Sequence, residues 1–465
     1  MKFARQGESD SNSSLFPMEM PVWYESRGKV SSIWLSVCSE ERHRTKDLME
    51  QIAHPSNLQE ACKQVVRNKG SAGIDNMEVE ELEIWMYKNI WNLSKSLKDG
   101  TYRPQATREV LIPKPQGGTR QLGIPTVTDR TVQQAISQIL NKIYDISFSE
   151  NSFGFRPNRS AHQALKRCTD FIKEEKRYVV DIDLEKFFDK VNHDRLMWLL
   201  GTRIGDKRVL VLINRFLQTG ILRDGLVEQR LQGTPQGSPL SPLLSNIVLD
   251  ELDQELHFRN LSFVRYADDM LIFVSGKEKA ERIRKQITIV IEQRMKLKVN
   301  LEKSGVRKLN ELIFLGHTFS QRGKLGISNK NEARFKEKLK GLTQRNTGIS
   351  LESMLSQLTE VMRGWLNYFR YASMKKRLQR IDGWLRRRLK CFRLKQCKRV
   401  IGIVRFLRKL NVEETLCWRT ALSGKGWWRI SNSPGVSIGM NNKWFEKIGY
   451  YSLVSNYIKL HCNLL

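Results

Sequence analysis

Two short apolar runs, Ser262–Tyr266 and Met270–Val274, are separated by only Ala267-Asp268-Asp269. Runs rich in β-branched and aromatic residues around so short a polar break predict a β-hairpin with acids at its tip. A second strand is predicted over Arg177-Tyr-Val-Val-Asp-Ile-Asp183, and it also ends on an acid. Carboxylates at the ends of neighbouring strands suit divalent cations, which can neutralise the charge that spreads in phosphoryl transfer. Adjacent acids at a tight turn repel one another, so a cation is a natural companion. Alone, Asp-Asp at a turn reads as well as a solvated turn, because turns favour Asp.

The remaining periodicities predict an α+β chain. Helices are expected over Leu58–Arg67, Leu82–Leu97, Arg130–Tyr144, Leu243–Leu256 and Lys279–Lys296, and strands over Arg108–Pro113 and Phe314–Phe319. The segment Lys114-Pro-Gln-Gly-Gly-Thr-Arg120 reads as a hairpin tip, and Gln232–Pro242 as a loop. From Leu351 to Phe369 apolar residues recur at three and four, an amphipathic helix. Met374–Leu410 is expected to be helical and basic, with Asp382 its only acid; beyond Gly424 the chain turns aromatic and irregular.

Charge narrows the partner. Lys and Arg total 79 against 49 acids, a net of +30, which draws polyanions and makes affinity fall with salt. The basic run offers Arg386, Arg387, Arg388, Lys395, Lys398 and Arg399 as a phosphate-tracking face, where a solvated helix face is the plain alternative. No apolar run approaches the ~18 residues of a membrane span, and a soluble, cytoplasmic protein is expected, associated with the nucleoid when DNA-bound. Seven Cys without a Cys-x-x-Cys pair suggest reduced thiols rather than a zinc site or disulfides.

Five motifs in one order carry a family resemblance. Tyr266-Ala-Asp-Asp269, about 85 residues after Asp181-Ile-Asp-Leu-Glu-Lys-Phe-Phe-Asp189, resembles the palm of reverse transcriptases. Gly233-Thr-Pro-Gln-Gly-Ser-Pro-Leu-Ser-Pro242 resembles the family's template and nucleotide loop, Lys298-Val-Asn-Leu-Glu-Lys-Ser304 its later palm motif, and Phe314-Leu-Gly316 its primer grip. Ile112-Pro-Lys-Pro115, Thr119–Pro125, Phe153-Gly-Phe-Arg-Pro157, Asn192-His-Asp194, the Lys69–Asp75 loop and Gly364-Trp-Leu-Asn-Tyr-Phe369 are similar to the bacterial group II intron reverse transcriptase/maturases in particular. The resemblance covers residues 46–465.

It implies a right-hand polymerase fold, with a loosely ordered extension at 1–45, fingers at 46–176, palm at 177–330, a helical thumb/maturase domain at 331–415 and a C-terminal DNA-binding region at 416–465. It implies two Mg²⁺ ions, replaceable by Mn²⁺, on Asp183 and Asp268 with Asp269 in support; Asp181, on the same strand face as Asp183, is the other candidate ligand. Lys114, Arg120, Gln236, Gly237 and Lys303 would meet the incoming nucleotide. Phe188 would be the bulky gate against a 2′-hydroxyl, and Leu315 and Gly316 the primer grip. The implied activity is RNA-directed DNA synthesis, target-primed, on intron RNA that the protein also binds to assist splicing. The implied partners are that RNA, target DNA, template-primer duplex and deoxynucleoside triphosphates. A splicing-only maturase and a domesticated reverse transcriptase of a defence or diversity-generating system are the other readings. Many relatives end in a Cys/His-rich endonuclease of the HNH type; only His461 follows His317 here, so cleavage of the second DNA strand is not expected.

Overall fold

The computed structural model describes residues 45–113, 117–223, 226–228, 231–235 and 237–462. The chain divides into two compact units, Met1–Arg307 and Lys308–Leu465. That division falls inside the segment assigned to the palm from sequence. No helix among the described residues is long and apolar enough to cross a membrane.

The principal helices of the first unit are α1 (Pro55–Asn68), α2 (Leu82–Lys98), α3 (Val127–Tyr144), α4 (Ser241–Phe258) and α5 (Lys277–Ile289). Thr126 caps α3, its hydroxyl accepting from Asp129 N–H at 3.0 Å, and so satisfies one of the orphan donors of a helix start. One sheet runs β2-β1-β4-β5, with β1 Thr107–Pro113, β2 Thr119–Ile124, β4 Ile221–Arg223 and β5 Leu226–Glu228. β1 and β2 form an antiparallel hairpin in which Ile112 pairs with Arg120.

The second sheet runs β6-β7-β3-β8, with β3 Tyr178–Ile182, β6 Ser262–Tyr266, β7 Asp269–Val274 and β8 Gly305–Lys308. Antiparallel pairing sets Val180 opposite Ile272 and Ile182 opposite Met270. With period two, these four point into the main core, and the alternate residues Asp181 and Asp183 share the other face.

Below the sheet, α4 carries four acids. Glu251 pairs with Arg195, Asp253 with Arg265, and Glu255 with Arg259 and Arg294. Asp250 makes no ion pair among the described residues. Burial, then the charge of Asp253, pushes its carboxyl up to about 7, with Arg265 offsetting only part. An acid raised in the folded state contributes stability while protonated. That contribution is lost as pH climbs from the unfolded value of roughly 4 toward the folded one. Asp250→Asn is therefore expected to raise the melting temperature near about pH 8, with the gain shrinking as pH falls and vanishing below roughly pH 4. A lower melting temperature at the higher pH would show that the ionised carboxylate holds something in place.

The second unit begins with a three-stranded sheet, β11-β10-β9, of β9 Ile313–Phe314, β10 His317–Phe319 and β11 Leu325–Ile327. The single strand expected over Phe314–Phe319 is thus a hairpin, turned by Leu315 at φ 47° and Gly316 at φ 78°. Positive φ at both central residues matches the twist of flanking strands. Four long helices follow: α6 (Asn329–Leu342), α7 (Leu351–Phe369), α8 (Lys375–Gln396) and α9 (Val400–Lys409).

The helical stretch expected over Met374–Leu410 is divided into α8 and α9. The chain breaks at Lys398, φ 58°, and Gly402 sits where a Cβ would lie 2.2 Å from the Cys397 carbonyl oxygen. The tail expected to be irregular forms short helices ending in α10 (Leu453–Cys462). Phe445, Tyr450, Leu453 and Tyr457 of this tail join the core of α6, α7 and α8. A second core gathers Leu394, Ile403, Val404, Ile430, Val436 and Met440. Residues 416–462 therefore fold onto residues 331–415 and share both cores with them.

Candidate active site

Asp183 directly follows β3 and Asp269 opens β7, so the pairing that ends at Ile182 and Met270 brings the two acids close where the sheet stops. Asp268 lies in the turn between β6 and β7. Burial, and then repulsion from Asp183, raises the Asp268 carboxyl above the ordinary range; Arg120 and Lys303 oppose this. Burial and the charges of Asp268, Asp183 and Asp181 push Asp269 up to about 6. Like charges have been gathered with too little positive charge to balance them.

The Lys298–Ser304 segment wraps Asp183. Asn300 N–H donates to the Asp183 carbonyl at 2.8 Å, and Asp183 N–H donates to the Ser304 hydroxyl at 2.9 Å. Lys303 Nζ lies 2.9 Å from Asp183 Oδ2, and Asn300 Nδ2 donates to the same oxygen at 3.2 Å. That contact with Asp183 raises the Lys303 pKa. Asp181 has a different partner: Arg307 Nε stands 2.7 Å from its Oδ2. Its charge is matched by a guanidinium, which separates it from Asp183 as a ligand.

Among the described residues, no three His, Cys, Asp or Glu side chains are grouped tightly enough to hold a metal ion. In this arrangement Asp183 is turned to Lys303. The donor set nonetheless suits a hard divalent cation. It consists of carboxylate oxygens from adjacent strands in a field short of positive charge.

The Ala267–Asp268 turn is mounted on a buried ion pair that sequence reading missed. Ala267 takes a left-handed φ of 58°. Arg265, with no exposed side-chain surface, donates Nη1 to the Ala267 carbonyl at 3.1 Å and to Asn246 Oδ1 at 2.9 Å. Its Nη2 stands 2.6 Å from Asp253 Oδ2. Gly154 packs on the same turn, where a Cβ would fall 2.2 Å from Ala267 N. Asn246 Nδ2 donates to the Gly154 carbonyl. The Arg156 of that motif is internal, donating to the Ser149 and Ser152 carbonyls and to Asp145. The signal for Arg265 was legible: a charged residue inside an otherwise apolar strand.

Phe187 is buried in the core, whereas Phe188 is only partly buried. The Phe188 carbonyl accepts Thr234 N–H at 2.6 Å, and Gly233 N–H donates to Val191 at 2.7 Å. Gly233 suits its position twice over: its φ is 84°, and a Cβ would meet the Phe188 carbonyl oxygen at 2.7 Å. Phe188 and the Gly233–Thr234 segment are thereby joined. The Ser238 hydroxyl, donating to Gln133 Oε1 at 2.6 Å, ties the loop to α3. Gly237 faces the Gly123 carbonyl of β2. Lys114 and Gln236 lie outside the described residues.

In the second unit, the Leu315 carbonyl accepts from Tyr368 Oη at 3.0 Å, and the Gly316 carbonyl accepts from Asn331 Nδ2 at 3.0 Å. The Gly364–Phe369 motif therefore braces the hairpin that holds Leu315 and Gly316. The basic residues of α8 have inward partners. Arg386 donates to Asn442, Arg387 to the Trp428 carbonyl, and Arg388 to Thr343 Oγ1 and to the Lys340 carbonyl. Lys395 donates to Asn346, whereas Lys398 and Arg399 are exposed.

Acids at the end of an antiparallel sheet, with Arg120 of the β1–β2 hairpin near enough to weigh on Asp268, fit a template-dependent nucleotidyltransferase of the palm type. Residues 112–319 match the reverse transcriptase (RNA-dependent DNA polymerase) family, and residues 333–410 match the group II intron maturase-specific domain. Protein YkfC of Escherichia coli is 34% identical over 59% of this chain and 83% of its own length. The group II intron-encoded protein LtrA of Lactococcus lactis is 31% identical over 58% of this chain. The match spans 56% of LtrA, just over half of that relative. A solved telomerase from Candida albicans overlaps 66% of this chain and 63% of its own, at 14% identity and a TM-score of 0.40. The chain belongs to the bacterial group II intron reverse transcriptase/maturase family. Enzymes of this class use divalent metal ions, and RNA is among the partners of its maturase-bearing members.

Proposed function

We propose that this chain copies intron RNA into DNA by target-primed synthesis and binds the same RNA to favour its splicing-competent fold. The observation that carries the reading is the meeting of Asp183, Asp268 and Asp269 at the end of the β3–β7 pair. In this reading, the 3′-oxygen of a DNA primer attacks the α-phosphorus of a deoxynucleoside triphosphate. The bond to the bridging oxygen breaks and pyrophosphate leaves. Asp183 and Asp268 would hold two Mg²⁺ ions, with Mn²⁺ a substitute and Asp269 in support; the ions supply neutralisation of the oxygens that gain charge. Lys303 would move from Asp183 toward the departing pyrophosphate. Arg120 and Lys114 would meet the triphosphate, and Gln236 and Gly237 the nascent pair. Leu315 and Gly316 would grip the primer, and Lys398 and Arg399 would track phosphates.

The domain roles follow the sequence boundaries: fingers at 46–176, palm at 177–330, thumb/maturase at 331–415 and DNA-binding region at 416–465. The work would be done in the cytoplasm on nucleoid DNA. The test supplies purified protein with poly(rA)/oligo(dT), deoxynucleotides and Mg²⁺. DNA synthesis is expected. Its absence from a folded protein that still binds intron RNA would leave a splicing-only maturase.

The half-buried ring of Phe188 supports a gate against ribose. Phe188→Ala is expected to raise the ratio of ribonucleotide to deoxynucleotide incorporation by roughly tenfold or more, as removal of a steric wall does. An unchanged ratio would make Phe188 a packing residue like Phe187.

A further inference from the structure

One side chain, Asn300, organises the turn that wraps Asp183. Its Oδ1 accepts the backbone N–H groups of Glu302 at 3.2 Å and of Lys303 at 3.4 Å. Only the oxygen end of an amide accepts, so these two donors fix which end faces the acid. The NH₂ end is turned to Asp183, with Nδ2 3.2 Å from Oδ2. The Asn300 backbone adds to the hold. Its N–H donates to the Asp183 carbonyl at 2.8 Å, and its carbonyl accepts Ser304 N–H at 2.9 Å. The Ser304 hydroxyl accepts from Asp183 N–H at 2.9 Å and closes the clasp. Asn300 thus shapes the turn that carries Lys303 and grips the Asp183 carboxylate with the same amide.

Two donors meet on Asp183 Oδ2, and they differ in kind. The Lys303 side chain is charged and 62% exposed. Solvent screens its hold on the acid, and a divalent cation competes with it for the same carboxylate. Asn300 is neutral and partly buried. Its hydrogen bond repels no cation, so it can persist when Lys303 is displaced. Both contacts fall on Oδ2, which leaves Oδ1 as the untethered oxygen among the described residues. Carboxylates that ligate metals are held in one orientation by hydrogen bonds of this sort, and removing the donor weakens the metal.

We propose that Asn300 is a positioning residue for the polymerase reaction: its amide keeps the Asp183 carboxylate in the orientation that receives a divalent cation while Lys303 is released. This rests on the reading of Asp183 as a cation ligand. Asn300 itself touches neither nucleotide nor primer in this account; it acts through Asp183.

The test uses the full chain on a template-primer that ends in a dideoxynucleotide, with Mn²⁺ binding followed by the paramagnetic signal of the free ion. Asn300→Ser keeps an acceptor for the N–H groups of the turn, as Ser does more weakly in place of Asn, but is too short to reach Asp183. Its Mn²⁺ affinity is expected to fall by roughly tenfold or more, the usual effect of losing a hydrogen bond to a metal-bound side chain. The Mg²⁺ concentration for half-maximal DNA synthesis on an extendable primer is expected to rise by a similar factor. The KM for template-primer and the metal-free melting temperature are expected to stay near wild type. Asp183→Asn, measured alongside, is expected to lose Mn²⁺ affinity at least as far. Wild-type Mn²⁺ affinity in Asn300→Ser beside lost affinity in Asp183→Asn would overturn the proposal and leave Asp183 a ligand. A loss in Asn300→Ser that tracks a falling metal-free melting temperature would also overturn it, making Asn300 a residue of the fold alone. Unchanged affinity in Asp183→Asn would overturn the ligand reading and this proposal with it.

Discussion

Asp268→Asn abolishes DNA synthesis on a primed RNA template, an expected fall of roughly a thousandfold or more if cation charge at the reacting phosphate is lost. A neutral amide is a poor ligand for a hard divalent cation. The substitution is nearly isosteric and should spare the fold. The turn is held from beneath by Arg265 and Asn246 and from the side by Gly154, not by the Asp268 carboxylate. Burial and Asp183 already disfavour the charged form of Asp268, so losing that charge costs the resting protein little. Melting temperature and intron-RNA affinity are expected to stay at wild-type values. Asp181→Asn is the matched control: its carboxylate is committed to Arg307, and most activity is expected to survive. Synthesis by Asp268→Asn near the wild-type rate would remove Asp268 from the chemistry. A loss of activity that tracks a falling melting temperature would make it a structural residue instead.

The candidate acids were readable because their setting is local. Apolar strands bracket Asp268 and Asp269, and the β3 strand runs straight into Asp183, so a few neighbouring letters fix both fold and position. What supports them is not local. Arg265 reaches Asp253 and Asn246 on α4 and the Ala267 carbonyl, and the Lys303 contact on Asp183 depends on a fold-back of the Lys298–Ser304 segment. The α8–α9 break has neither Pro nor Gly at its bend; Lys398 takes the left-handed conformation, and the nearby Gly402 explains itself only once the Cys397 carbonyl is seen beside it. The basic run was legible as charge, but charge does not name its partner. Arg387 lies 4.1 Å from the Trp428 ring centroid, and Arg388 is bound to the end of α6 and the Thr343 beyond it. These side chains tie helices together whatever else they meet. Reversing their charge would therefore disturb packing as well as any nucleic-acid contact, whereas Lys398 and Arg399 are the cleaner probes of phosphate tracking.

The lone acid of that basic helix has the largest expected effect on stability. Asp382 is completely buried on α8. Its Oδ1 accepts from Tyr450 Oη at 2.9 Å and from Leu453 N–H at 3.1 Å. Its Oδ2 accepts from Ser452 Oγ at 3.0 Å and from Val454 N–H at 3.0 Å. Leu453 opens α10, so the carboxylate of one helix caps another far along the chain, where the orphan donors and positive end of a helix dipole favour an anion. Asp382→Ala strips the acceptor from four donors, two of them in fully buried bonds. It is expected to cost about 3–5 kcal/mol, the range for a buried charged network losing one member. Asp382→Asn would not rescue it, because the amide NH₂ would point at donors on one side. The measurement is calorimetric unfolding together with hydrogen exchange of the α10 amides. Those amides are expected to lose protection before the rest of α8 does, since Tyr450, Leu453 and Tyr457 would lose the polar anchor that seats them in the shared core. A cost below about 1 kcal/mol, typical of an ordinary surface change, with α10 protection intact, would show that apolar contact alone seats the final helix.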